Sequence, residues 1–261
     1  MALLDMTQRG AVTHLTMNAP ERLNALSDEM LAALKETLDR LAEDGGTRVI
    51  TLSGAGKAFC AGHDLRQMTD KRQAEDGGAA AFRDLFDRCA EVMARIQSMP
   101  QPVIAQVHGI ATAAGCQLVA TCDMAVAATG TRFGVNGVNI GLFCSTPMVA
   151  LSRNIPRKQA FEMLTTGEFI SAERARELGL VNRVVAPEAL AEETARLAEL
   201  VASKLGAAVK IGKQAFYAQI DLPVADAYAY TGDVMVTNML RKDTAEGIDA
   251  FLEKRPPDWQ Q

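Results

Sequence analysis

The stretch IATAAGCQLVATCD, from Ile110 to Asp123, decides how this chain is read. Ala111, Thr112, Ala113, Ala114, Gly115 and Cys116 are all small, and an apolar helical pattern follows them directly. Small side chains let two elements pack closely, and they equally let a ligand reach the backbone; both readings stay open at this point. Gln117 falls where the chain dives inward, so a buried amide meeting backbone partners and an amide meeting a ligand are both open. Before the stretch, VIAQV (103–107) reads as a strand. After it, MAVAA (124–128) and TRFGV (131–135) read as two short ones.

Further out the alternation continues. AVTHLTM (11–17) reads as a strand and SDEMLAALKETLDRLAED (27–44) as a helix capped by Ser27, with Met30, Leu34, Leu38 and Leu41 on one face. TRVITLSG (47–54) is short, apolar and β-branched, the pattern of a buried strand. Phe82, Leu85, Phe86, Cys89, Met93 and Ile96 keep helical spacing until Pro100 and Pro102. Thr69 to Gly78 is charged and Gly-containing, read as a mobile surface loop that helps wall the ligand pocket. Alternating units of this kind predict an α/β core with parallel strands over residues 1–190. The rest, 191–261, reads as all-helical and suited to oligomerisation. One long helix carries Leu190, Leu197, Val201 and Leu205 beyond Pro187, and a last one is opened by Asp243 and Glu246 as a capping box and stopped at Pro256.

Composition narrows the function classes. At 261 residues, 48% hydrophobic and 23% charged, the chain has an ordinary globular make-up. A net charge of -5 argues against a nucleic-acid binder, and no apolar run approaches a membrane span. Five scattered cysteines without a CxxC pair read as buried thiols, and three separated histidines give a metal no support. The N-terminal MALLDMTQRGAVTHLTM lacks the basic start and apolar stretch of a signal peptide, so the expectation is a cytoplasmic protein.

Two places share one plan: a buried strand, a turn of tiny residues, then a helix start. They are VITLSGAGKAFCAGHDL and VIAQVHGIATAAGCQL. Backbone N–H groups at helix starts are unpaired, so two such turns side by side can aim one N–H each at a single oxygen. Asp64 fits a helix cap and leaves His63 at the surface in the plainer reading.

AFCAGHDL, the longer QPVIAQVHGIATAAGCQLVATCDMAVA, FGVNGVNIGL, LTTGEFISAERARELGLVNRVV and FLEKRPP occur in an order that resembles the crotonase superfamily, the enoyl-CoA hydratases and isomerases. The resemblance implies a spiral of ββα units, a helical C-terminal trimerisation region, a homotrimer or dimer of trimers, and a coenzyme A thioester as ligand. It implies no cofactor beyond the coenzyme A of the substrate. It assigns the oxyanion hole to the backbone N–H of His63 and of Ala114, the latter where the family usually has Gly. It puts coenzyme A contacts at Arg22, Asn24 and Ala25 in RLNAL, at Lys57 and Ala61, and at Phe251 and Lys254 of a neighbouring subunit.

Hydratases of this family use two glutamates, and the matching positions here are Gln117, in GCQL, and Gly137, after the family's F-x-x-P segment. An amide and a glycine cannot move a proton near neutral pH, and general acid–base groups each typically contribute ~10²–10⁴ in rate. Weak or absent hydration is therefore expected. The same departures occur in the enoyl-CoA hydratase domain-containing subgroup, which ATAAGCQLVATCD and GVNIGLFCSTPMVALSRNIPRK resemble. Decarboxylation of a malonyl-type thioester needs no protein base at the CO₂-releasing step, and AGHDL and GVNIGL are similar to the superfamily's methylmalonyl-CoA decarboxylases. The tyrosine expected there falls at Cys144. A silent acyl-CoA binder is the third reading. Ser145 and Thr146 before Pro147 fit a helix cap, and a nucleophilic Cys144 would need an activating neighbour.

Overall fold

The computed structural model describes residues 2–260. Nine strands, β1 (Leu4–Arg9), β2 (Val12–Met17), β3 (Val49–Gly54), β4 (Val103–Val107), β5 (Ile110–Thr112), β6 (Met124–Ala128), β7 (Arg132–Gly134), β8 (Ile170–Ser171) and β9 (Arg183–Val185), form two sheets. The larger runs β1-β2-β3-β4-β6-β9, with only the β1–β2 hairpin antiparallel. The smaller, β5-β7-β8, is extended by isolated parallel bridges of Cys60 with Ala111 and of Leu26 with His63. Those bridges bring the two small-residue turns into one sheet.

Eleven helices complete the described chain: α1 (Asp28–Glu43), α2 (Leu65–Lys71), α3 (Ala79–Ser98), α4 (Ala114–Thr121), α5 (Pro147–Asn154), α6 (Arg157–Thr166), α7 (Ala172–Leu178), α8 (Leu190–Ala202), α9 (Gly206–Gln219), α10 (Val224–Met239) and α11 (Lys242–Leu252). Ser27 caps α1 by accepting from the Met30 amide, and Met30, Leu34, Leu38 and Leu41 are buried with α3's Leu85, Cys89, Met93 and Ile96. The α/β core with parallel strands that the alternation predicts is thus present, with the C-terminal helices following it.

The departures have local causes. Residues 110–112, read as part of a turn, form β5, because the extended backbone pairs with β7 at a register of Ile110 to Arg132. Thr69 to Lys71 finish α2 instead of starting a loop, and Asp76 then accepts from the amides of Gly78 and Ala80 to launch α3. The long helix after Pro187 stops at Ala202, and Leu205 starts the next one. Helix α8 lays Leu190, Leu197 and Ala198 on Val12, Val49, Ile104 and Val126 of the larger sheet, so the core continues beyond residue 190. Asp243 and Glu246 do not cap α11: its N-cap is Arg241, which leaves both acids inside the helix. They hold the tail instead. Asp243 accepts from the Gln260 amide, while Glu246 accepts from Asp258 and pairs with Arg255. The helix ends at Leu252, ahead of Pro256, with Lys254 in the left-handed region at φ 57° and the Arg255 amide bonded to the Ala250 carbonyl.

Candidate active site

The bridged turns border a cavity of about 350 Å³ walled by α2, α3, the 3₁₀ turn at Asn136–Ile140 and the start of α5. Its first edge is Ala61-Gly62-His63. Gly62 has φ 88°, and a Cβ there would lie 3.0 Å from the Cβ of Ala113 and 3.3 Å from the amide nitrogen of Ala114. The two turns therefore touch, and only glycine allows both the backbone conformation and the approach. Gly115 is required by close approach alone. A Cβ on it would run into the Cys60 carbonyl and come within 2.9 Å of the Cys60 Cβ. The small-residue run thus serves packing and access together.

Neither the His63 amide nor the Ala114 amide donates to any group of the described chain. Ala114 is the first residue of α4, so its N–H lies outside the helical hydrogen-bond ladder. A positive φ occurs one residue earlier, on Ala113, whose φ of 49° and ψ of -119° are sparsely populated for a residue with a Cβ. Ala113 is anchored by its own N–H to the Gly134 carbonyl and by its carbonyl to the Gln117 amide. Both residues line the cavity with His63 and Ala61.

The His63 ring packs edge-on against Phe86 and offers Nδ1 to the Leu26 carbonyl at 3.3 Å, while its Nε2 is buried with no partner. His63 is thus not the surface residue of the plainer reading. Burial pushes its pKa below the ordinary value, which keeps the ring neutral at pH 7. Asp64 caps α2, its Oδ1 accepting from Arg66 and Gln67, with Arg22 3.4 Å from Oδ2.

Gln117 is 5% exposed, and its Oε1 is buried without a partner. It lies one turn beyond Ala114 on α4, behind the cavity lining. Gly137 does line the cavity, against the loop that follows it. A Cβ there would lie 2.9 Å from the Cys144 Sγ and closer still to the Leu142 carbonyl oxygen. Glycine is thus a steric requirement at this position. Cys144 faces the same space, and burial raises its thiol pKa against the opposing pull of the Gly137 amide. A neutral thiol is a poor nucleophile. All five cysteines are buried and free. Thr146 occupies the N-cap of α5, with Pro147 following, but its hydroxyl makes no capping bond.

The residues read as coenzyme A contacts divide. Ala61 lines the cavity. Arg22 and Lys57 are exposed and do not line it, and Ala25 is buried. Asn24 is fully buried with its amide committed inward, Oδ1 to the Ala19 amide and Nδ2 to the Ala55 and Ala58 carbonyls. Its side chain shapes the turn and, being fully buried, is out of a ligand's reach. Phe251, 81% exposed, and Lys254 sit on and after α11 and do not line the cavity of their own chain. Nor does Thr69 to Gly78, since the α2 contribution comes from Leu65 and Met68.

Sequence reading missed Asn136 and Thr112. Both line the cavity, and the Thr112 hydroxyl donates to Asn136 Oδ1 at 2.6 Å. The signal was present, because Asn136 takes the place of the proline in the family's F-x-x-P segment. Among the described residues, no group of three or more His, Cys, Asp or Glu could hold a metal ion, and no helix is long and apolar enough to cross a membrane.

The enoyl-CoA hydratase/isomerase family profile matches residues 7–261. The mitochondrial enoyl-CoA hydratase domain-containing protein 3 of Xenopus laevis is 44% identical, over 97% of this chain and 85% of that protein. The crystal structure of the human protein of that name superposes with a TM-score of 0.94 at 43% identity, covering 99% of this chain and 100% of that one. An enoyl-CoA hydratase structure from Mycobacterium smegmatis gives a TM-score of 0.96 at 53% identity, with both chains covered completely.

Proposed function

The chain belongs to the crotonase superfamily of enoyl-CoA hydratases and isomerases, and from that premise we propose that it binds a coenzyme A thioester and polarises the thioester carbonyl without rapid hydration. The observation that carries this reading is the pair of unpaired amides, His63 and Ala114, on adjoining turns at one edge of the cavity. An oxygen lodged between them would accept two hydrogen bonds from fixed donors. Those donors stabilise the negative charge that builds on a thioester oxygen as an enolate forms. Small side chains at Ala61, Gly62 and Ala113 leave that place open.

Hydration asks for more. A water must lose a proton while the neighbouring carbon gains one. No carboxylate lines the cavity, Gly137 has no room for one, and the Gln117 amide does not titrate. Hydratase turnover is therefore weak or absent. A silent acyl-CoA binder is the limiting case of the same reading. A malonyl-type decarboxylation would bring a carboxylate into a cavity that holds no cation. The exposed apolar residues of α10 and α11, among them Tyr228, Met235, Leu240 and Phe251, support a homotrimer or dimer of trimers built on the C-terminal helices.

Isotope-edited infrared spectroscopy of bound butyryl-CoA, labelled at the carbonyl carbon, tests the reading. The carbonyl stretch is expected to move to lower wavenumber on binding. An unmoved band in a saturated complex would remove the two amides from the mechanism. Rapid conversion of crotonyl-CoA to its hydrated product, followed by mass, would overturn the missing-acid part.

A further inference from the structure

The cavity has a property that the thioester reading does not require: among the described residues, no charged side chain lines it. Asp, Glu, Lys and Arg are all missing from its walls. Two titratable groups face it, His63 and Cys144, and burial drives the first down and the second up, so both are neutral near pH 7. Leu65, Met68, Phe86, Ile140, Leu142 and Phe143 supply the apolar wall.

The polar groups that remain are few and partly committed. Thr112 and Asn136 bond to each other at 2.6 Å, Asn139 Nδ2 donates to the Gly167 carbonyl at 3.3 Å, and Ser145 Oγ donates to the Phe143 carbonyl at 3.4 Å, which leaves the Thr146 hydroxyl and Asn136 Nδ2 as neutral donors without a bond. The two free amides are occupied once a thioester oxygen sits between them.

We propose that this cavity selects acyl groups that carry no charge and discriminates against thioesters of dicarboxylic acids. The selectivity presupposes the thioester-binding reading above. A carboxylate on the acyl chain would give up its water for a place with no cation and few uncommitted donors. Such burial is costly, because neutral donors offset only part of the lost hydration of an ion. An apolar acyl group of the same length gains from the same walls.

Calorimetric titration of the full chain with butyryl-CoA, succinyl-CoA and free coenzyme A tests this. The two acyl groups have equal carbon number, and the short succinyl chain keeps its carboxylate close to the thioester. Butyryl-CoA is expected to bind tighter by on the order of a hundredfold. In Leu142→Arg, which places a cation on an accessible wall position, that ratio is expected to shrink by about tenfold or more. Succinyl-CoA binding within about threefold of butyryl-CoA in the unaltered protein would overturn the selectivity. An unchanged ratio in Leu142→Arg would overturn charge as its cause. If a folded protein binds neither thioester nor free coenzyme A, the thioester reading itself fails and takes the selectivity with it. Binding of all three alike leaves that reading standing and sinks only the selectivity.

Discussion

Helix α4 and the residues just after it contribute to two buried places of opposite character. At its start lies the cavity, with no charged side chain among the described residues that line it, where the amides of His63 and Ala114 and His63 Nε2 are left without partners, and Gln117 Oε1 is unpartnered just behind it. Beyond its end, Asp123 belongs to a cluster in which both charged groups are fully paired. Asp123 Oδ2 accepts from the Val103 amide and from Lys213 Nζ at 2.7 Å, and Oδ1 accepts from the Tyr217 hydroxyl at 2.9 Å. Lys213 Nζ also donates to the carbonyls of Ile96 and Gln101, which uses all three of its protons. The contrast separates a place built to receive something from a place already complete. Buried polar groups without partners are rare enough to need a reason, whereas a saturated network explains itself by what it ties together. Here it ties α9 to the end of α3 and to the strand starts of β4 and β6.

The sharpest way to break this contrast is to leave one charge of the cluster alone. Lys213→Met strips Asp123 of its counter-charge in a site where the lysine side chain is 5% exposed. A loss of about 3–5 kcal/mol is expected in urea unfolding, the usual penalty for an orphaned buried partner. Lys213→Met with Asp123→Asn should recover much of that loss, since no charge then remains unpaired. A single variant costing less than about 1 kcal/mol would mean that Asp123 finds water, and the cluster would no longer count as closed.

A smaller effect is expected in the cavity. Gly137→Ala sets a Cβ against the Leu142 carbonyl and within 2.9 Å of the Cys144 Sγ, so the loop must give way at about 1–3 kcal/mol in the same unfolding assay. Gly137→Glu adds an unpaired carboxylate to that clash and should be less stable still, with no gain in crotonyl-CoA hydration when paired with Gln117→Glu. Neutral behaviour of Gly137→Ala would show that the loop is soft, and the steric reason for the missing acid would fall.

How much of this was legible in the sequence depended on whether the pattern was local. Ser27, the α1 stripe and the buried β3 run declared themselves because capping and periodicity act within a few residues. The paired small-residue turns were visible as a repeated plan, but their contact was not. It depends on Cys60 bridging Ala111 and on Gly62 lying under Ala113. Asp243 and Glu246 had the spacing of a capping box, yet the helix starts before them and the acids serve the tail. The buried salt bridge of Lys213 joins residues far apart in the chain and leaves no periodic trace. Asn136 was marked only by the proline it replaces, because its bond to Thr112 spans 24 residues of the chain.

The smallest effect tests whether the cavity refuses charge even when its own wall supplies it. His63 has a pKa held below its ordinary 6.5, chiefly by burial, with Lys71 adding to the depression and the Leu26 carbonyl and Asp28 opposing it. The unfolded chain therefore takes up the proton first as pH falls. Between the two pKa values the unfolded state binds more protons, so stability must decline as pH drops below about 6.5 and stay level above it. His14 is shifted in the same direction, mainly by burial, and so contributes a like slope. Comparing the protein with His63→Gln cancels that contribution. The expected result is a shallower loss of stability in His63→Gln than in the unaltered protein between about pH 7.5 and about pH 5.5, read from urea midpoints at fixed salt. Equal slopes would mean that the ring takes its proton as readily inside the fold as outside. A cavity that tolerates a histidine cation could also house a ligand carboxylate, and the division between the open, uncharged cavity and the closed, charged cluster would have to be drawn elsewhere.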